Sequence, residues 1–426
     1  MKQFILLTLL VSAAVSPLHG QITWTQCQAS ARENYPLIRQ YDLVRQSTDY
    51  SIANAAKAWL PQVSLTAQAG YQSDVASFPE EMEAMFRQLG IDMKGLNKDQ
   101  YRLTLEVGQT LWDGGQHRAQ QEMAKADGEF SRQSLEVEMH ALRERVNSLY
   151  FGILMLHEQL NQNTLLQELL QSNLQTVDAC IAHGVATLSD RQAIQVELLA
   201  ASQQRVQIES AAAAYRKMLS VMTGIPVGQT DTLEKPAVQV APAAGNRPEL
   251  HLFDAQRQQF DAQEMALNSS LVPRLGLFAQ GFYGNPGLNL FRDMTENRWT
   301  WNWLAGIRFQ WNFGSLYTHG GNRRKLELAR KRVDSQRDVF LFNLDLKRLQ
   351  QQEAIDKMTR IMADDAEIIS LRTSIRQASE ARFANGTLTV GELLRDINAE
   401  SRARQAETLH EIEWIKNIYD LLDTVN

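Results

Sequence analysis

Residues Trp299–Asn312, WTWNWLAGIRFQWN, decide how the chain folds. Every second residue from Trp299 gives Trp299, Trp301, Trp303, Ala305, Ile307, Phe309 and Trp311. The alternate set is Thr300, Asn302, Leu304, Gly306, Arg308, Gln310 and Asn312. A period of two with one apolar and one largely polar face is a β-strand. Four tryptophans on one strand face exceed what a soluble sandwich core needs. A membrane β-barrel uses them, because tryptophan anchors at both lipid–water boundaries.

Composition narrows the classes that can contain such a strand. The 426 residues carry a formal net charge of -6, which argues against a nucleic-acid partner. Mean hydropathy is -0.33, and beyond the N-terminus no apolar run approaches the ~20 residues of a transmembrane helix. Residues 1–20 read as a signal peptide: Lys2 is the charged start, Phe4 to Val15 the apolar stretch, and Leu18-His19-Gly20 the cleavage region. The two cysteines, Cys27 and Cys180, are expected to be free and packed.

Working outward from the tryptophan strand, the chain repeats itself. Asn34-Tyr35-Pro36-Leu37 is answered by Asn246-Arg247-Pro248-Glu249, and WLPQVSLTAQ around Pro61 by LVPRLGLFAQ around Pro273. Gly114-Gly115-Gln116-His117-Arg118 is answered by Gly320-Gly321-Asn322-Arg323-Arg324, and Gly184 with Asp190 by Gly386 with Glu392. Ordered coincidences of this kind mark an internal duplication. One repeat covers 21–224 and the other 246–426, joined by a proline-containing linker, 225–245.

Each repeat opens with a helix that a proline ends, at Pro61 and Pro273. The period then changes to two, predicting strands 62–72 and 102–112 in the first repeat and 273–283 and 299–312 in the second. Phe278 and Phe282 interrupt the alternation of the third strand. Polar loops, 73–101 and 284–298, separate the strands of each pair. Very long helices follow. Leu135, Met139, Leu142, Val146, Leu149, Ile153, Leu156 and Leu160 form a heptad seam from 116 to about 182. A looser seam, with Leu346, Leu349, Met358, Ile361, Ile368 and Ile375, lies between 323 and about 384. Gly184 and Gly386 end these helices, and a further helix follows each, giving two helical hairpins.

Taken together, these features resemble the TolC-type outer-membrane efflux and export ducts. The resemblance spans essentially the whole mature sequence. It rests on the doubled helix–strand–strand–helix–helix order, the Trp24-to-Pro36 opening with Cys27, Leu60-Pro61 and Val272-Pro273, and the exit Trp112-Asp113-Gly114-Gly115. The second repeat departs at its exit, with Trp311-Asn312-Phe313-Gly314 and then Ser315 to His319 before the glycine pair.

The resemblance implies an α+β membrane protein, in which a trimeric 12-stranded β-barrel, four strands per chain, continues as a long periplasmic α-helical barrel of coiled-coil helices. Four strands alone cannot close a barrel, and open edges are not tolerated in lipid. It further implies a homotrimer in the outer membrane of a Gram-negative bacterium, with a large periplasmic part. The expected role is the passive exit duct of a tripartite efflux or type I export system. Its expected partners are outer-membrane lipid, a periplasmic adaptor (membrane fusion) protein and an inner-membrane transporter, proton-driven (RND) or ATP-driven (ABC). The alternative class is a periplasmic coiled-coil structural or adhesin-like protein with a small β region.

No catalytic motif stands in the sequence: no H-E-x-x-H, paired cysteines, G-x-S-x-G or phosphate loop. No enzyme activity, cofactor or metal is expected. By the resemblance, Asp190 and Glu392 match the acids that narrow the periplasmic entrance and bind cations, with Arg395 standing where a second acid would fall. The alternative for Asp190 is an ordinary first-turn acid favoured by the helix dipole. Gly184, Thr187, Gly386 and Thr389 match the adaptor-docking tips. Trp299, Trp301, Trp303, Trp311, Trp112 and Tyr71 are expected at the membrane boundaries. Arg308, Glu106 and Arg102 are expected to face the lumen.

Overall fold

The computed structural model describes residues 21–93, 95–238 and 247–425. The expected signal peptide, 1–20, and the later part of the expected linker, 239–245, lie outside them. Two short helices, α1 (Trp24–Asn34) and α2 (Ile38–Lys57), precede strand β1 (Gln62–Tyr71), and helix α3 (Glu80–Gln88) separates it from β2 (Asp99–Trp112). The long helix α4 (Gln116–Ala182) and α5 (Leu188–Thr223) complete this series. The second series is α6 (Pro248–Ser269), β3 (Arg274–Asn285), α7 (Leu290–Glu296), β4 (Thr300–Gln310), α8 (Gly314–Ala384) and α9 (Val390–Val425). The chain divides into two compact units. One comprises Tyr41–Ser134 and Glu249–Asp338; the other comprises the residues up to Gln40, Leu135–Pro248 and those from Val339.

The first unit contains one four-stranded antiparallel sheet in the order β1-β2-β3-β4. Its register pairs like with like. Leu65 stands opposite Leu105, Val107 opposite Ala279, and Ala279 opposite Ala305; on the other face Ser64 stands opposite Glu106 and Glu106 opposite Gln280. Because side chains alternate, this register gathers most of each strand's apolar residues on one face, with Phe278, Phe282 and Leu304 on the other.

Three expectations are corrected in this unit. The inter-strand segments, read as polar loops, each contain a short helix, and Phe78 packs against Phe86 and Phe291 with ring centroids 5.4 and 6.2 Å apart. Trp299 precedes β4 instead of starting it, and stacks on Tyr101 and Tyr283. The glycine pairs 114–115 and 320–321 are not equivalent. Gly114 and Gly115 take φ of +68° and +88° and form a turn, whereas Gly320 and Gly321 lie inside α8. The second exit needs no glycine turn because Asn312 starts the helix: its side-chain oxygen accepts from the Gly314 N–H at 3.1 Å, and its carbonyl from the Ser315 hydroxyl at 2.7 Å.

In the second unit the α4 seam is the core. Leu135, Met139, Leu142, Val146, Leu149 and Ile153 are all buried. The α8 seam behaves differently: Met358 is buried, but Leu346, Leu349, Ile361, Ile368 and Ile375 are exposed. Its stripe has the right period, but apart from Met358 it is left uncovered by the described residues.

The first described residues are anchored to the rest of the unit. Ile22 forms a parallel bridge with Leu233, and the buried Tyr150 hydroxyl lies 2.9 and 2.6 Å from the carbonyls of Ile22 and Glu234. Arg216, whose guanidinium burial pulls downward in pKa, donates to the carbonyls of Gly228 and Asp231. The described part of the linker is therefore fixed to the helices. Cys27 is free and buried, which pushes its thiol up to about 11, and Cys180 is free and half-buried.

Candidate functional site

The sheet presents two chemically opposite surfaces. The apolar face carries Val63, Leu65, Leu103, Leu105, Leu277, Trp301, Trp303, Ile307 and Phe309, all exposed. Aromatic residues mark both ends of this face. Tyr71, Tyr101, Tyr283, Trp299, Trp301 and Trp303 lie toward the inter-strand segments, and Trp112, Phe309 and Trp311 toward the long helices. Trp311 also donates its indole N–H to the Leu271 carbonyl at 3.0 Å. Tyr101 and Tyr283 join the expected boundary residues through their register opposite Ala69 and Trp301. Isolated tyrosines on separate strands give no such signal without the pairing.

The three expected lumen residues share the polar face, and the structure brings two of them, Arg308 and Glu106, together. The Arg308 guanidinium reaches Glu106 at 3.1 Å, although β4 and β2 are not adjacent. It does so by passing over Phe278, 4.8 Å from the ring centroid. Gln280 on the intervening strand donates to the other Glu106 oxygen at 2.7 Å. Arg102 lies over Phe282 in the same way, at 4.5 Å. Phe278 and Phe282, which break the alternation in the sequence, are thus platforms for guanidinium groups. Gly306 leaves the space for the Phe278 ring: a Cβ there would stand 3.1 Å from it.

The helical tips are built alike. Gly184 at φ +76° and Gly386 at φ +70° end α4 and α8 in the left-handed conformation that favours glycine. Val185 donates to the Cys180 carbonyl and Thr387 to the Arg382 carbonyl, both at 2.9 Å, closing Schellman turns. The next helices start on Thr187 and Thr389. The Thr187 N–H and hydroxyl reach one Asp190 carboxylate oxygen at 2.8 and 2.7 Å; those of Thr389 reach one Glu392 oxygen at 3.1 and 2.9 Å. The Asp190 and Glu392 amides donate back to the threonine hydroxyls at 3.3 Å. Both acids therefore close capping boxes. The Thr389 amide, then its hydroxyl, and more distantly Arg395 and Arg382 hold the Glu392 carboxyl below its ordinary value. Arg395 acts on Glu392 through its charge, and no salt bridge joins the two among the described residues. The hydrophobic cluster behind the tips includes Val177, Ile194, Phe383, Val390, Leu393 and Ile397.

Among the described residues no group of His, Cys, Asp and Glu could hold a metal ion, and no helix is long and apolar enough to cross a membrane. The membrane-compatible surface is the sheet.

A four-stranded sheet with one apolar face, aromatic ends and long helical hairpins is the architecture of an outer-membrane channel subunit. Residues 29–224 match the sequence model of the outer membrane efflux protein family. The whole fold matches the outer-membrane channel OprN, with TM-score 0.69 and 16% identity over 94% of this chain and 89% of that one. It also matches CusC, with TM-score 0.69 and 12% identity over 94% and 91%. The outer membrane protein VceC of Vibrio cholerae gives TM-score 0.66 and 13% identity over 94% and 96%. A search of the curated proteins finds no match. These findings bear out the resemblance to the TolC-type outer-membrane efflux family: residues 29–224 carry its sequence pattern and the chain carries its fold. The solved structures whose fold it shares, OprN and VceC among them, are outer-membrane proteins.

Proposed function

We propose that three copies of this chain close a 12-stranded barrel and a helical barrel, forming the passive exit duct of a tripartite efflux or type I export system. One observation carries the reading: a four-stranded sheet with a lipid-compatible face, a polar face and two edge strands, β1 and β4, that end the pairing order. An edge left open in hydrocarbon leaves backbone groups unsatisfied, so β4 of one copy pairs with β1 of the next. The exposed heptad stripe of α8 supports the same assembly, since apolar rows of that period seek a partner helix.

The polar face then lines the passage. The tips around Gly184, Thr187, Gly386 and Thr389 receive a periplasmic adaptor, and an inner-membrane RND or ABC transporter supplies the energy. Asp190, Glu392 and Arg395 surround the periplasmic entrance. Capping and gating are compatible, because each capping box uses a single oxygen of its carboxylate. The ionised Glu392 leaves its second oxygen for cations.

The test is the full chain purified in detergent and reconstituted in planar bilayers. Trimeric mass, heat-modifiable migration and single-channel conductance are expected; a soluble, non-conducting product would overturn the reading. A charge-based entrance requires Glu392→Gln and Glu392→Ala both to raise conductance or weaken divalent-cation block. If Glu392→Gln behaves like the parent, the residue serves only as a cap.

A further inference from the structure

The polar face of the sheet is more cationic than the chain that carries it. The whole chain is acidic, at -6. The alternation and register place Arg102, Arg274 and Arg308 on this face against one carboxylate, Glu106. Glu106 is already committed on both oxygens, to Arg308 at 3.1 Å and to Gln280 at 2.7 Å. No carboxylate pairs with Arg102 or Arg274 among the described residues. Arg102 is exposed, while the Phe282 ring beneath it is only 2% exposed. The ring holds the guanidinium flat over the strand without cancelling its charge, and its outer side and edge remain open to a solute.

We propose that this face is an anion-selective stretch of the passage, with Arg102 on Phe282 as its main binding residue. The ligand class is anionic solutes, from chloride to carboxylate- or sulfonate-bearing organic molecules, which guanidinium recognises through paired N–H groups. The proposal rests on the polar face lining the duct. Cationic rings in a pore favour anions because the low-dielectric wall concentrates their field. Glu106 acts in the opposite sense, by neutralising Arg308.

The test is the reversal potential of the reconstituted full-length channel across a potassium chloride gradient. Arg102→Gln is expected to lower the chloride-to-potassium permeability ratio by about threefold or more. Arg102→Lys keeps the charge and should stay close to the parent. Glu106→Gln releases Arg308 and should raise the ratio. A conducting Arg102→Gln channel with an unchanged ratio overturns the proposal and leaves the duct intact. So does an Arg102→Lys channel shifted as far as Arg102→Gln. If Arg102→Gln does not assemble, the decision passes to Glu106→Gln, where an unchanged ratio overturns the proposal. An unmodified chain that never conducts removes the duct reading itself.

Discussion

Glu400 tests whether the helical unit is held by charge as well as by its apolar seam. Its side chain, on α9, is 6% exposed and accepts from the Thr373 hydroxyl at 2.7 Å, from Arg404 at 2.8 Å and from Arg376. Burial pushes its carboxyl up in pKa, but Thr373, Arg404 and Arg376 together outweigh that and leave it below the ordinary value. Removing one partner of a buried ion pair costs about 3–5 kcal/mol when the other is stranded. Here the loss is smaller, because Arg376 keeps Glu380 at 2.6 Å and Arg404, 40% exposed, turns to water. Glu400→Ala should therefore cost about 2 kcal/mol, and at roughly 2 °C per kcal/mol for a large unit the helical transition should fall by about 4 °C. The assay is circular dichroism at 222 nm at a fixed scan rate, since large proteins often unfold irreversibly and so under kinetic control. A carboxyl whose folded pKa is depressed stabilises fully above its unfolded pKa of ~4.3, and that stabilisation fades as pH falls through the folded value. The gap between parent and Glu400→Ala should thus narrow in acid. An unchanged midpoint at neutral pH, or a gap that widens in acid, would refute the reasoning.

Other outcomes follow from the sheet and the tips. Ala305→Arg puts a charge on the apolar face near mid-strand; if that face meets lipid as proposed, the cost is about 2–4 kcal/mol and the heat-modifiable folded band should be abolished. Leu304→Arg, one residue earlier and on the polar face, should leave that band intact; equal behaviour of the two would contradict the assigned faces. Gly386→Ala forces a Cβ into a φ of +70° and 3.0 Å from Val185, whereas the same change at Gly184 meets nothing within 4 Å. Both should loosen the tips by about 1 kcal/mol or more, with Gly386→Ala the worse, read as faster protease cleavage between 380 and 390. Thr187→Ala removes the N-cap of α5 and should speed amide exchange in its first turn; unchanged exchange would show the capping box to be dispensable.

Much of the fold was already determined by the sequence, because its signals are local and periodic. The alternation in Trp299–Asn312 names a strand and its apolar face, the α4 heptads name a buried seam, and Gly184 and Gly386 name the turns. Each depends only on backbone period or on the dihedral freedom of one residue. The tertiary structure decided what depends on pairing between distant segments. Register made Phe278 and Phe282 platforms for Arg308 and Arg102, and carried Arg308 across a strand to Glu106, 202 positions away. Capping geometry gave Asp190 and Glu392 a structural role that composition cannot separate from a gate. The two glycine pairs look alike as letters, but one turns the chain and the other lies in a helix, because Asn312 had already started α8. The α8 stripe has a legible period, yet only folding shows that the described residues leave most of it uncovered. Period and propensity act within a few residues, whereas contact partners are chosen by the whole packed chain.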